Sequence, residues 1–320
     1  MSLAAKFNRI PTPLAGLALG IASLGLCLDG RFGADGALQM AGAGIASLLL
    51  LALVVKFVLN PGQLQMDVAH AVVGSVIPTF AMATMVISTS IYRFLPFQGQ
   101  VVWLVAVALH LALLLGFLYH RAKEPAWHHM VPSWFVPPVG IIVAAVTCPG
   151  EAVKPLATVL LYGGMIAYAI MLPLMLYRLI FHTNVPDPAK PTIAIMAAPA
   201  SLSLAGYLNL VSEPSALIVA VLLGIALLMT ALIYLAFFHL MRLPFSPGYA
   251  AFTFPMVIGA TALYQCAKVF EHWGLSQHTL LHHLADGELL VATAVVSYVG
   301  LRYLMAYWPK APSGPNAVSH

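Results

Sequence analysis

The chain has 320 residues, 61% of them hydrophobic and only 8% charged, with a formal net charge of +4 and a mean hydropathy of +0.94. A soluble domain carries about 25% charged residues, so this chain has too little polar surface to face water. The bilayer is its expected solvent, and no nucleic-acid partner is implied.

A membrane helix needs about 20 mostly apolar residues. Ten such runs follow in order: 10–28, 40–59, 72–92, 101–119, 134–149, 156–177, 192–211, 215–238, 248–268 and 288–308. The fifth is short, and Pro137-Pro138 at its start predicts local distortion. Met1 to Lys6 shows no short apolar region with a cleavage box, so the chain is expected to be held by its own helices. Linkers are brief and carry turn residues, such as Asn60-Pro61-Gly62 and Pro186-Asp187-Pro188. The whole of 1–320 reads as one membrane domain.

The odd-numbered runs carry proline among small residues: Pro11, Pro13, Gly16 and Gly20; Pro78-Thr79; Pro137-Pro138 and Gly140; Pro199-Ala200-Ser201; Pro255-Met256 and Gly259. The even-numbered runs are richer in leucine, as in 48–51, 109–115, 217–228 and 289–299. Proline inside a membrane helix frees a backbone carbonyl, which is tolerated against protein or water but not against lipid. Small residues let helix backbones approach, and leucine suits acyl chains. The expected fold is all-α: ten transmembrane helices as five quasi-repeated hairpins, with an inner ring of proline-kinked odd helices around a pore and an outer ring of even helices.

Lysine and arginine set the orientation. Lys6, Arg9, Lys56, Arg121, Lys123, Arg178, Lys190, Arg242, Arg302 and Lys310 fall on one side, against Arg31, Arg93, Lys154 and Lys268 on the other. Ten against four places both termini in the cytoplasm. On these span limits every acidic residue, Glu288 included, sits in a loop or near a helix end. Cation channels use acidic rings and proton-coupled carriers use intramembrane carboxylates, so both are disfavoured. The candidate pore lining is Pro78, Thr79, Thr84, Pro138, Pro199, Ser201, Ser203, Thr253, Pro255 and Gly259. Such hydroxyls also serve as helix contacts or bond their own backbone. Arg93, Arg242 and Lys268 are candidate mouth charges that raise local anion concentration, or interfacial anchors.

Twelve histidines and three cysteines raise the question of a metal. His278 and His282 are four apart and His128-His129 are adjacent, yet they fall in loops on opposite sides, and no H-E-x-x-H motif occurs. His110 lies in a leucine-rich span and reads as a packed or interhelically bonded residue. Cys27, Cys148 and Cys266 lie near span ends as small packing residues. Neither a metal nor a cofactor is expected. An enzyme, which would need convergent titratable groups in the core, is not expected either.

Ala197-Ala198-Pro199-Ala200-Ser201, preceded by Lys190-Pro191, and Tyr249-Ala250-Ala251-Phe252-Thr253-Phe254-Pro255-Met256 resemble the seventh and ninth helices of the tellurite-resistance/dicarboxylate transporter family. That family includes the slow-type anion channels of plant guard cells and the bacterial tellurite-resistance membrane protein. Ile10-Pro11-Thr12 with Gly16 and Gly20 fits its first helix, although Pro13-Leu14 departs from the usual Gly-Tyr. The resemblance implies a homotrimer with one pore per subunit and Phe254 as the gate. A phenyl ring at a proline kink can close a narrow conduit by filling and dewetting it. Phe80, two residues beyond Pro78, is a second gate candidate. The expected function is an anion-selective channel for small inorganic or organic anions in a bacterial inner membrane, in contact with lipid. The alternative is a secondary transporter or efflux carrier for dicarboxylate, sulfite or tellurite-like oxyanions.

Overall fold

The structure, a computed structural model, describes residues 3–124, 126, 129–182 and 185–307. His128 and Lys310 lie outside them. A short α1 (Leu3–Phe7) precedes α2 (Leu14–Phe32) and α3 (Ala37–Leu59), which form a hairpin. The turn closes on Gly33, left-handed at φ 63, whose N–H donates to Asp29 O. Gly36, at φ 90, donates its N–H to the Asp29 carboxylate at 3.0 and 3.1 Å. These positive φ values favour glycine.

Within this hairpin the two backbones meet at glycine. A methyl group added at Gly25 would lie 2.6 Å from Leu38 O and 3.0 Å from Gly42 Cα. Gly25→Val is therefore expected to destabilise the protein by about 1–3 kcal/mol, read as a lower melting temperature in detergent. Gly44→Val, at an open position on the partner helix α3, should leave it unchanged. Equal melting temperatures for the two variants would refute the close approach.

Next come α4 (Pro61–Ala69), α5 (Val73–Val76), α6 (Thr79–Phe94) and α7 (Pro96–Lys123). A broken stretch then alternates 3-10 turns with α8 (Val136–Val139) and α9 (Val143–Val146). Pro137 and Pro138 remove two backbone donors there, so no continuous α-helix forms. Beyond it lie α10 (Lys154–Phe181), α11 (Ala198–Leu210), α12 (Ala216–Leu240), α13 (Thr253–His272) and α14 (His278–Tyr307). Both α11 and α13 are entered through 3-10 turns, Asp187–Ala197 and Pro247–Phe252.

Among the described residues, nine helical segments are long and apolar enough to cross a membrane, and the apolar stretch Pro132–Val146 is shorter. That shorter stretch is the fifth run, helical but broken at Pro137-Pro138 as its sequence predicts. One correction concerns α14, which begins at His278 rather than 288, so His278 and His282 lie on a helix and not in a loop. A second concerns proline. Pro173 sits inside α10 on an exposed face, so proline is not confined to the buried segments.

Burial alternates along the chain. The crossings containing α2, α6, α11 and α13 are 67% to 83% buried, whereas those of α3, α7, α10, α12 and α14 are 22% to 39% buried. Exposed leucines such as Leu48, Leu115, Leu217 and Leu290 populate the second group, and small residues dominate the first. Among the buried elements, α2 packs on α6, α6 on α9, α9 on α11, α11 on α13, and α13 on α2.

Candidate functional site

Four helices start at one cavity of about 460 Å³. It is lined by Pro13, Gly16 and Leu19 of α2, Val76, Thr79 and Met82 around α6, and Val136, Val139 and Gly140 of the broken stretch. Ala198, Pro199 and Leu202 of α11, Thr192 and Ala251 of the 3-10 turns that lead into α11 and α13, and Phe254 and Pro255 of α13 line it as well. The lining is almost wholly apolar. Among the described residues it holds no lysine, arginine or carboxylate, and the one titratable side chain in the lining is His70. His70 Nδ1 accepts the N–H groups of Val72 and Val73 at 3.2 and 3.1 Å.

The proline positions explain this convergence. Pro13 and Pro78 are the caps of α2 and α6, and Pro199 sits in the first turn of α11. Proline suits a helix start because that N–H would be unbonded anyway. The α-helices thus begin in the wall of the cavity, with their first turns facing it. Pro255 likewise follows Phe254 in the first turn of α13.

The hydroxyls are engaged with the backbone. Thr79 donates to Val76 O, Thr84 to Phe80 O, Ser201 to Ala197 O and Ser203 to Pro199 O. Thr253 shares its proton between Ala250 O at 2.8 Å and Gly16 O at 3.2 Å. These bonds satisfy carbonyls at the helix starts. A methyl at Gly20 would lie 2.4 Å from Thr253 Oγ1, so α2 abuts the start of α13 closely.

Of the residues singled out in the sequence, the cavity brings together Thr79, Pro199, Phe254 and Pro255. Pro78 precedes Thr79, and half-buried Pro138 lies between lining residues Val136 and Val139. Phe80 is half-buried and packs against the core. Thr84, Ser203 and Thr253 are outside the lining, and Ser201 and Gly259 line a second, smaller cavity. Arg93, Arg242 and Lys268 are exposed. His110 is buried, with Nε2 at 2.8 Å from Pro137 O, tying α7 to the broken stretch.

Three features were missed in the sequence. The first is a buried polar cluster beside the cavity: Thr12 Oγ1 donates to Asp67 Oδ2 and accepts from Lys56 Nζ at 2.8 Å. Gln63 donates to Asp67 Oδ1 at 2.6 Å, and Lys56 Nζ lies 3.6 Å from Asp67 Oδ2. The second is an aromatic bracket around the 3-10 turn that precedes Phe254. Tyr249 packs edge-on against Phe252 at 4.9 Å and Phe245 at 5.2 Å, and Tyr303 donates to Pro247 O at 2.5 Å.

The third corrects the acid-free expectation. Glu288 lies three turns into α14 and is only 9% exposed, well inside a membrane-crossing helix. The polar start of α14, with His278, His282, His283 and Asp286, had concealed the length of that helix. Among the described residues no three His, Cys, Asp or Glu side chains converge as a metal site would require.

A family profile described as a voltage-dependent anion channel matches residues 13–304. Two proteins of Methanocaldococcus jannaschii are similar as well. "Uncharacterized transporter MJ0762" is 24% identical over 248 residues, covering 69% of this chain and 72% of the relative. "Uncharacterized transporter MJ0576" is 24% identical over 251 residues, covering 70% and 72%.

Proposed function

The chain belongs to the voltage-dependent anion channel family, and from that premise we propose that it is an anion-selective channel of a bacterial inner membrane. One observation carries the reading: the first turns of α2, α6, α11 and α13 all open onto a cavity without fixed charge. Among the described residues the lining carries no lysine, arginine or carboxylate, so an anion entering it is held by no fixed charge and is free to move on.

In this reading the cavity is the cytoplasmic vestibule of a pore within each subunit of a homotrimer. The five proline-bearing elements form the inner ring and the leucine-rich helices the outer one, supported by the alternating burial and by the circuit of contacts through α2, α6, α9, α11 and α13. Both termini are cytoplasmic, supported by the ten-to-four bias of basic residues. Phe254 is the gate and Phe80 a secondary candidate. Thr79, Pro199 and Pro255 line the inner mouth, with Pro78 and Pro138 setting its helix breaks. Thr84, Ser201, Ser203, Thr253 and Gly259 stand along the inner helices, and Arg93, Arg242 and Lys268 flank the mouths.

The test is electrical. Purified protein in a planar bilayer under a chloride gradient should reverse near the chloride equilibrium potential, and substituting larger anions should shift that value. Reversal at the cation potential would refute anion selectivity. The carrier alternative for dicarboxylate, sulfite or tellurite-like oxyanions is favoured by the transporter names of the two relatives and by intramembrane Glu288. It predicts saturable counter-flux in liposomes without current steps.

A further inference from the structure

A second cavity, about 10 Å³, lies between α11, α12, α13 and α14 and is lined by Ser201, Thr230, Gly259 and Glu288 among aliphatic side chains. That is close to the room one water needs, about 10–15 Å³. Glu288 Oε2 has no hydrogen-bond partner among the described residues. It lies against the backbone of α13: a methyl group at Gly259 would come within 2.3 Å of it. Tyr234 on α12, within electrostatic reach of Glu288, also has a buried hydroxyl without a partner. Of these two atoms Glu288 Oε2 belongs to a residue that lines the cavity, and buried polar groups are otherwise bonded.

The chemistry of the lining selects an occupant. A carboxylate removed from water with no counter-charge is costly, so the site calls for a cation. A metal ion needs a shell of oxygens, and this lining offers only Glu288, Ser201 and Thr230 among leucine and alanine. A proton needs one carboxylate oxygen. The surroundings bring no competing charge: α11 contributes Ser201, α12 contributes Thr230 and Tyr234, and α13 contributes Gly259. On α14 itself, Asp286 is held by Arg31 at 2.6 Å and by Tyr264 at 2.6 Å.

We propose that Glu288 is a proton-binding site whose occupancy controls anion passage along α13. One proton from water joins a carboxylate oxygen, and no other bond changes. The coupling rests on the anion-pathway reading above. The vestibule and the small cavity share helices: Leu202 and Phe254 face the first, while Ser201 and Gly259 face the second. An ionised Glu288 places a negative charge behind the pathway and repels an anion through low-dielectric protein. The bound proton removes that barrier.

Two measurements test this on the full-length protein in liposomes. Infrared difference spectra between about pH 5 and about pH 9 should show a protonated-carboxyl band in wild type that Glu288→Gln lacks. Chloride flux in wild type should be on the order of three- to tenfold higher at the acid end, while Glu288→Gln stays high and flat. Absence of a Glu288-dependent band overturns the proton site. A variant that keeps the wild-type pH profile overturns the coupling, and so does a wild-type flux that is constant with pH, even if the variant does not fold. A band without chloride flux at any pH leaves the proton site standing and instead refutes the anion reading.

Discussion

Phe254→Ala is expected to raise anion current by on the order of tenfold or more, equivalent to removing about 1.4 kcal/mol or more from the permeation barrier. The ring faces the vestibule, is only 8% exposed, and stands in the first turn of α13 immediately before Pro255. Its backbone has little freedom to retreat. Thr253 is bonded toward Gly16 O on α2, and Tyr249 packs edge-on against Phe252 in the 3-10 turn that leads into α13. Removing the ring therefore opens space that the backbone does not refill. Phe254→Leu should fall between alanine and wild type. Phe80→Ala is the contrasting case, since half-buried Phe80 packs into the core; it should lower stability more than it raises current. Unchanged current in Phe254→Ala would take the gate out of the proposal.

The largest expected stability effect lies at Asp67. Asp67→Ala strands the Lys56 ammonium, itself 3% exposed, without a counter-charge, leaving it the Thr12 hydroxyl and the face of the Phe57 ring. Breaking one partner of a buried pair costs about 3–5 kcal/mol, read as a fall in unfolding temperature. Lys56→Met should cost less, because Asp67 keeps its bonds from Thr12 and Gln63. The double variant should recover part of the loss, because no charge is then left stranded. Additive losses would mean that the two side chains do not act as a pair. Because the cluster joins Thr12, next to lining residue Pro13, to α4, three residues before lining residue His70, these variants should also disturb the vestibule.

Much of this architecture was legible in the sequence. Alternating proline-bearing and leucine-rich runs foretold which crossings are buried, because small residues permit backbone contact and leucine does not. The Pro137-Pro138 pair foretold the broken fifth segment. Other parts were hidden for specific reasons. Hydropathy stops at 288 because His278, His282, His283 and Asp286 dilute it, yet Leu281, Ala285, Glu288, Leu289, Ala292, Val295 and Val299 form one buried stripe at helical spacing. Reading periodicity there instead of mean polarity would have found the helix and its embedded acid. The direction of each hydroxyl proton has no sequence signal, so Thr84 and Ser203 read as lining although their protons satisfy carbonyls one turn back. The Lys56–Asp67 pair depends on how the chain bends at Asn60-Pro61, a corner whose angle the residues alone do not specify.

Residues separated by most of the chain are fastened together at two levels: Thr253 to Gly16, and Arg31 to Asp286. A ribosome delivers α2 first, so its glycine-rich face must wait for partners that emerge last. Until then, among the described residues, the helix packs chiefly on α3 and α6. Assembly in the translocon is thus completed by the C-terminal third, and a nascent chain halted after α12 should be a degradation substrate rather than a smaller version of the protein.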